Sequence, residues 1–270
     1  MNFAPKGTIE TMFELRRSGA KRFALNLLAC LALLGLGAAH RADAQAEPSH
    51  HLGDYAVSTL NDFKASMKIV EFSEHEGVKI NKDFPLIYKI KGDIKVQYKE
   101  ENMLRVDGLL GASNATLIVN GTTQYATIPA AHIKTKISLG KEPGKRKTLL
   151  DVGMISPGYL AYTQYEFKRT QVVDGVLCAV FKVSYRDKTL DTSHRMIWID
   201  PKTKITLKRD EYSQEGKLNA TFLYKQPVEQ DGFWFPTRIE AYNNEGKRAG
   251  VTGYNSVKVN VGLADSVFVQ

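Results

Sequence analysis

Five histidines lie beyond residue 46, and none has the company that catalysis or metal binding requires. His50 and His51 are adjacent, but no further ligand stands near them in sequence to complete a metal site. His75 sits between Glu74 and Glu76 and reads as a solvated hairpin residue rather than a general base. His132 and His194 flank strand-like runs without a visible partner. The carboxylate pairs Glu100-Glu101 and Asp210-Glu211 are neighbours in sequence. On a strand, neighbours point to opposite faces, so they cannot share acid and base roles. Cys178 lies in the apolar run Val176-Leu177-Cys178-Ala179-Val180, the setting of a buried, inert thiol. The chain has no glycine-rich phosphate loop, paired-cysteine metal site or Gly-x-Ser-x-Gly elbow. No cofactor and no enzymatic activity are expected from these residues.

Binding chemistry is better represented. Residues 140–147 form a basic loop, Gly-Lys-Glu-Pro-Gly-Lys-Arg-Lys, suited to plain solvent exposure or to lipid headgroups. Trp198, Trp234 and Phe235 fit two roles equally, core filling and the wall of a ligand cavity. The whole chain carries a formal +8, and the first 46 residues hold six Lys/Arg and three Asp/Glu, which leaves +5 for the rest. That excess reads as modest and spread along polar strand faces. It is compatible with an anionic membrane surface, though its commoner meaning is solubility.

The elements that must position these residues are mainly strands. Ile94, Val96 and Tyr98 alternate with Lys95, Gln97 and Lys99. Leu177, Ala179, Phe181, Val183 and Tyr185 share one face, opposite Lys182 and Ser184. Leu218, Ala220, Phe222 and Tyr224 alternate with polar residues, as do Val257, Val259 and Val261. Period-two alternation describes antiparallel strands with one buried and one wet face. Turn pairs punctuate these runs, among them Glu76-Gly77, Gly92-Asp93, Asp107-Gly108, Asn120-Gly121, Asp174-Gly175 and Asp231-Gly232. Two segments read as helical, residues 52–63 and 147–165, the second divided into two short helices at Pro157. The predicted fold is mainly β, of the α+β kind. Roughly ten strands make a strongly curved antiparallel sheet, with one helix before it and a helical lid near 147–165.

The N-terminus reads as a secretory signal peptide. Arg16, Arg17, Lys21 and Arg22 precede an apolar run over residues 23–39, followed by Ala42-Asp43-Ala44 and Ala44-Gln45-Ala46. Cleavage after Ala46 or Ala44 is expected, and Met12 would give a more ordinary basic region than Met1. Leu27-Leu28-Ala29-Cys30 loosely matches a lipoprotein box, but the apolar stretch before Cys30 is too short for it. Residues 1–46 are therefore assigned to the signal peptide and 47–270 to a single domain that reaches the periplasm. With Cys178 alone remaining, no internal disulfide forms, and stability must come from the core.

Several motifs in order resemble one family. Gly92-Asp93-Ile94-Lys95-Val96 is followed by Leu104-Arg105-Val106, then by Leu117-Ile118-Val119-Asn120-Gly121, Tyr125 and Pro129. Later come Trp198-Ile199-Asp200-Pro201, Gly232-Phe233-Trp234-Phe235-Pro236 and a closing strand over residues 259–268. Together they resemble the LolA-like periplasmic lipoprotein carriers and outer membrane lipoprotein-sorting proteins. The resemblance implies a half-open barrel with helices over its mouth and an acyl chain in its apolar concave side. The ligand it implies is a lipid or a lipoprotein acyl chain. Envelope membrane proteins are the candidate partners, nucleic acid is not one, and the protein is a monomer. Carried onto this sequence, the ligand-binding candidates on the sheet are Ile94, Val96, Arg105, Ile118, Tyr125, Trp198, Phe222 and Trp234. On the lid they are Leu149, Leu150, Met154 and Ile155. The carriers place an Arg-Pro pair after the strand that Ile94 and Val96 match, and that arginine locks the lid. Lys99-Glu100 stands there in this chain, with Arg105 as candidate substitute. An envelope interaction or sensor module on the same fold is the alternative function.

Overall fold

Alternating side chains dictate the local structure throughout. In the strand Ile90–Lys99, Ile94, Val96 and Tyr98 are buried while Lys95 is exposed. The computed structural model describes residues 47–270 except Glu101, so the signal-peptide reading, with Cys30, lies outside the described residues. Thirteen strands form one antiparallel sheet. The first six are β1 Asp62–Phe72, β2 Ile90–Lys99, β3 Met103–Leu110, β4 Ser113–Asn120, β5 Thr123–Ile128 and β6 Ile133–Ser138. The rest are β7 Thr163–Val173, β8 Val176–Tyr185, β9 His194–Ile199, β10 Thr206–Tyr212, β11 Leu218–Gln230, β12 Phe233–Asn243 and β13 Arg248–Val259. Their spatial order is β6-β5-β4-β3-β2-β1-β13-β12-β11-β10-β9-β8-β7. The two edges do not pair, and the curved sheet is a half-open barrel.

This topology makes a crossing connection unavoidable. β6 and β7 are the opposite edges of the sheet, yet they are consecutive in sequence. Residues 139–162 must therefore run from one edge to the other. They do so through a 3-10 turn Leu149–Val152 and a short helix, which we number α3, Pro157–Tyr162. Thr148 and Asp151 form a capping box around the turn, and Ser156 caps α3, with Pro157 at its start. The two short helices broken at Pro157 are thus present, although residues 163–165 already belong to β7.

Other helical expectations change. Residues 52–63 supply only the 3-10 turn Leu52–Tyr55, and Phe63 begins the alternation of β1 with Ala65 and Met67. The remaining helices are α1 Glu74–Ile80 and α2 Phe84–Tyr88. His75 and Gly77 consequently sit in α1 rather than in a hairpin. Gly92 lies at a bulge in β2, with φ +79°, and Gly108 lies inside β3. A Cβ on Gly108 would stand 2.4 Å from the Ile90 side chain, so glycine serves close packing there, not a turn.

Two main apolar clusters fill the concave side. One joins Phe63, Met67, Ile94, Val96, Phe235 and Ile239 to the lid residues Leu149, Val152 and Met154. The other joins Phe181, Val183, Ile197 and Ile199 to Leu52, Tyr55, Leu150, Ile155 and Tyr159. The lid therefore contributes to both halves of the core.

Candidate functional site

The concave face can be read from the strand register. Tyr98 opposes Leu104, Leu104 opposes Val119, and Val119 opposes Gln124. A parallel row runs Val96, Val106, Leu117, Ala126. Because strand neighbours alternate, these residues and Ile94 share one face. In the other half of the sheet the same face carries Phe222, Arg209, Ile197 and Phe181 in one row.

The ligand-binding candidates divide between the two faces. Ile94 and Val96 line the concave side in direct company with Leu149 and Met154, with Phe222 and Trp234 packed against them. Leu150 and Ile155 enter the second cluster. Arg105, Ile118 and Tyr125 oppose one another in the row next to Leu104 and so face outward. That outer face is covered by the chain's C-terminal turn Asp265–Phe268. Arg105 donates to the Val267 carbonyl at 3.1 Å and forms a two-bond pair with Asp107 at 2.7 and 3.0 Å. It is not the lid lock. Trp198 also leaves the concave face, because its neighbour Ile197 points inward. Its indole donates to Gln171 Oε1 at 3.0 Å, and Lys208 Nζ lies 4.3 Å from its ring centroid. Cys178 packs beside it, fully buried, its thiol pushed up to about 12 chiefly by burial.

The lid is instead pinned from β10. Arg209 is only 3 % exposed and sits beneath the 3-10 turn. Its Nη1 donates to the Leu150 carbonyl at 3.1 Å and to Asp151 Oδ1 at 3.3 Å. Its Nη2 lies 3.4 Å from Glu211 Oε1, and its guanidinium stacks 4.4 Å from the Phe222 centroid. Tyr224 adds a hydroxyl bond to the same Leu150 carbonyl at 2.9 Å. Thr206 N–H donates to the Gly153 carbonyl at 2.8 Å. Gly153 has φ +83°, and a Cβ there would meet the Tyr224 ring at 2.8 Å, so glycine is required twice over.

A second arginine secures the flank. Arg195 Nε donates to Glu211 Oε1 at 3.4 Å, and its Nη1 bonds the hydroxyls of Tyr185 and Tyr159 of α3. Its Nη2 reaches the Gly144 carbonyl at 3.4 Å in the loop before the lid. A polar cleft of about 390 Å³, bordered by Glu142, Asp191, His194 and Tyr212, brings solvent to Arg195 and Glu211. Burial would raise the pKa of Glu211, but Arg209 and Arg195 outweigh it and hold the carboxyl low. Asp151 is likewise held low against burial by Lys147 and Arg209. The two inward carboxylates are thus ion-paired anchors rather than an acid and base poised near neutrality. At the far end of the lid, Glu100 accepts from the Gly158 N–H at 3.0 Å.

One sequence signal pointed to this network. Asp210 and Glu211 do take opposite faces: Asp210 accepts from Thr221 Oγ1 at 2.7 Å on the outside, and Glu211 turns inward. Arg209 lies two residues before Glu211 and must share its face. The greasy cavity expected under the lid is occupied by the lid itself, with Leu149 and Leu150 at 1 % and 0 % exposure. Among the described residues, no group of three potential ligands could hold a metal, and no helix is long and apolar enough to cross a membrane.

Comparisons agree with this architecture. A family model described as an uncharacterized protein matches residues 144–270. No curated protein matches the chain. Among solved structures, an outer membrane lipoprotein-sorting protein domain from Vibrio parahaemolyticus superposes with TM-score 0.57 at 13 % identity, covering 80 % of this chain and 92 % of that one. A LolA superfamily protein from Nitrosomonas europaea gives TM-score 0.57 at 16 % identity, covering 81 % and 94 %. A DUF1329 family protein from Desulfovibrio piger gives TM-score 0.51 at 14 % identity, covering 81 % and 93 %. With its open antiparallel sheet and crossing lid, the chain has the LolA-like fold.

Proposed function

We propose that this protein is a non-enzymatic periplasmic carrier or binding protein for a lipid or lipoprotein acyl chain, exported by a cleaved signal peptide over residues 1–46. The observation that carries the reading is the concave face. Its apolar rows run from the lid-covered centre at Ile94 and Val96 through the half-buried Leu104 and Val106, which pack against the lid's cluster, to the half-buried Leu117, Ala126 and Ile128 outside it. An acyl chain laid there gains about 0.8 kcal/mol per buried CH₂. The lid leucines already occupy the deepest part, so a ligand must displace them. That displacement must exchange the lid's buried apolar contacts for those of the ligand and release the polar contacts from Arg209 and Tyr224.

The test is organic extraction of the purified mature domain followed by lipid mass spectrometry, together with titration of a fluorescent fatty acid. Co-purified lipid or saturable probe binding is expected. Absence of both in the wild type ends the carrier reading. It would favour an envelope interaction module, for which the exposed edge strand β7, with Tyr165 and Val172 in solvent, offers a surface for strand addition.

A further inference from the structure

The basic excess of the domain is concentrated rather than spread over its strand faces. Residues 133–147 hold six Lys/Arg and one carboxylate, Glu142, a net +5. Residues 47–270 as a whole also carry +5, so the rest of the domain is neutral. The segment comprises edge strand β6 and the loop that leads to the lid. All six residues of β6 are exposed. Ile133 and Ile137 are 41 % and 45 % exposed and continue the concave rows, Ile133 beside Ile128 and Ile137 beside Gln124. Lys134 and Lys136 alternate with them on the outer face, Lys136 with its ammonium 5.6 Å from the Tyr125 ring. Lys145 is paired with Glu142 at 2.6 Å, whereas Lys134, Lys136 and Lys141 form no ion pair among the described residues.

We propose that β6 and the loop of residues 139–147 dock on an anionic phospholipid surface. The chemistry of the edge selects this partner. Unpaired ammonium groups seek phosphate, exposed isoleucines seek the acyl boundary, and a tyrosine beside a lysine suits the interface between them. The strand's free backbone groups remain satisfied at headgroup depth, where water and phosphate are present, so the edge need not enter hydrocarbon. Its purpose rests on the carrier reading, because the docked edge is where the apolar concave rows open toward a bilayer. An acyl chain would then pass from membrane to sheet along Ile133, Ile137 and Ile128 without crossing water.

Vesicle sedimentation of the mature chain tests the proposal. Wild type is expected to bind vesicles containing phosphatidylglycerol, to bind phosphatidylcholine vesicles weakly, and to be released by salt. Each lysine near an anionic surface contributes roughly a fivefold change in affinity, so K134E/K136E/K141E should weaken binding on the order of a hundredfold or more. A control with equal net charge, K202E/K217E/K247E, alters exposed lysines elsewhere and should keep most of the binding. Indifference of the wild type to phosphatidylglycerol overturns the proposal and leaves the patch to an acidic protein. Equal losses in the two triple variants overturn it also, since they would report only bulk charge. Fatty-acid probe binding without vesicles separates the two readings. A wild type that binds vesicles but no probe keeps the docking surface and fails the carrier. A wild type that binds probe but no vesicles does the reverse.

Discussion

Glu240 shows how a single buried charge is made tolerable here. It is 5 % exposed on the outer face of β12, where burial alone would raise its pKa. Hydrogen bonds from Arg238 at 2.7 Å, Tyr242 at 2.8 Å and Lys225 at 3.0 Å outweigh burial and bring it from 4.5 to about 2. A carboxylate with a depressed folded-state pKa stabilises the fold above its unfolded value, and that contribution fades as pH falls through the folded value. Glu240→Gln should therefore cost about 2–3 kcal/mol near neutral pH, with the deficit shrinking between pH about 4.5 and about 2. Denaturant unfolding of the two proteins across that range is the measurement, and a deficit constant with pH would refute the assignment. Arg209 follows the opposite logic. It is a buried cation whose protonation is secured, against desolvation, by Tyr224, Glu211 and Asp151. Its value lies in what it holds, the carbonyl of Leu150, rather than in net stability, since buried ion pairs often barely offset their desolvation.

At the level of elements, the lid is the part that the carrier reading requires to move. Over residues 148–162 it contains one 3-10 turn and one six-residue helix, linked to the sheet by a handful of polar contacts and by apolar side chains inserted into two clusters. Short segments of this kind open at lower free energy than the strands beneath them. Leu150→Asp places a charge against Phe181 and Ile197, and Leu150→Ala removes apolar contact worth about 2–5 kcal/mol. Both should shift the lid toward its open state and speed fatty-acid probe uptake on the order of tenfold or more, with the β-sheet circular dichroism unchanged. Arg209→Met should act in the same direction by freeing the Leu150 carbonyl. Unaltered uptake in folded variants would mean that the lid does not gate the concave face. Helices α1 and α2 went unread in the sequence, although Ser73 and Glu76 provide the start of a cap, with Ser73 Oγ accepting from Glu76 N–H at 3.4 Å. Elements of seven and five residues are too short for periodicity to register against the turn signal of Gly77.

For the whole molecule, the chain order matters as much as the sheet. β1 to β6 build one arm outward from the centre, the lid crosses to the other edge, and β7 to β13 build inward until β13 pairs with β1. The last pairing joins residues from the two ends of the domain, Phe63 with Val259. Asp62 secures the junction by accepting the N–H groups of Val261, Gly262 and Leu263 at 2.7–3.0 Å. The proposed signal peptide precedes this domain in the sequence. Mature protein from a periplasmic extract should accordingly begin near Gln45 or Glu47 without an acyl group. Recovery of an acylated Cys30 at the N-terminus would show a membrane-anchored protein instead.

Local chemistry in the sequence was enough for the mainly antiparallel β class, though it gave roughly ten strands where there are thirteen, and for most hairpin turns, the broken lid at Pro157 and the motif order of a LolA-like half-barrel. Alternation reports which residues share a face, because the side-chain period of a strand is two. It cannot report which face becomes concave, since that depends on the curvature of the whole sheet. The inward turn of Arg209 and Glu211, the outward turn of Arg105, Ile118, Tyr125 and Trp198, and the bonds by which Arg105 and Asn120 hold the C-terminal turn are decided there. So is the filling of the expected cavity by Leu149 and Leu150. These contacts join residues tens to more than a hundred positions apart, as Arg209 with Leu150 and Arg105 with Val267. No local preference encodes such meetings; they arise when the lid is drawn across one face of a sheet that does not close and the C-terminal turn is laid on the other.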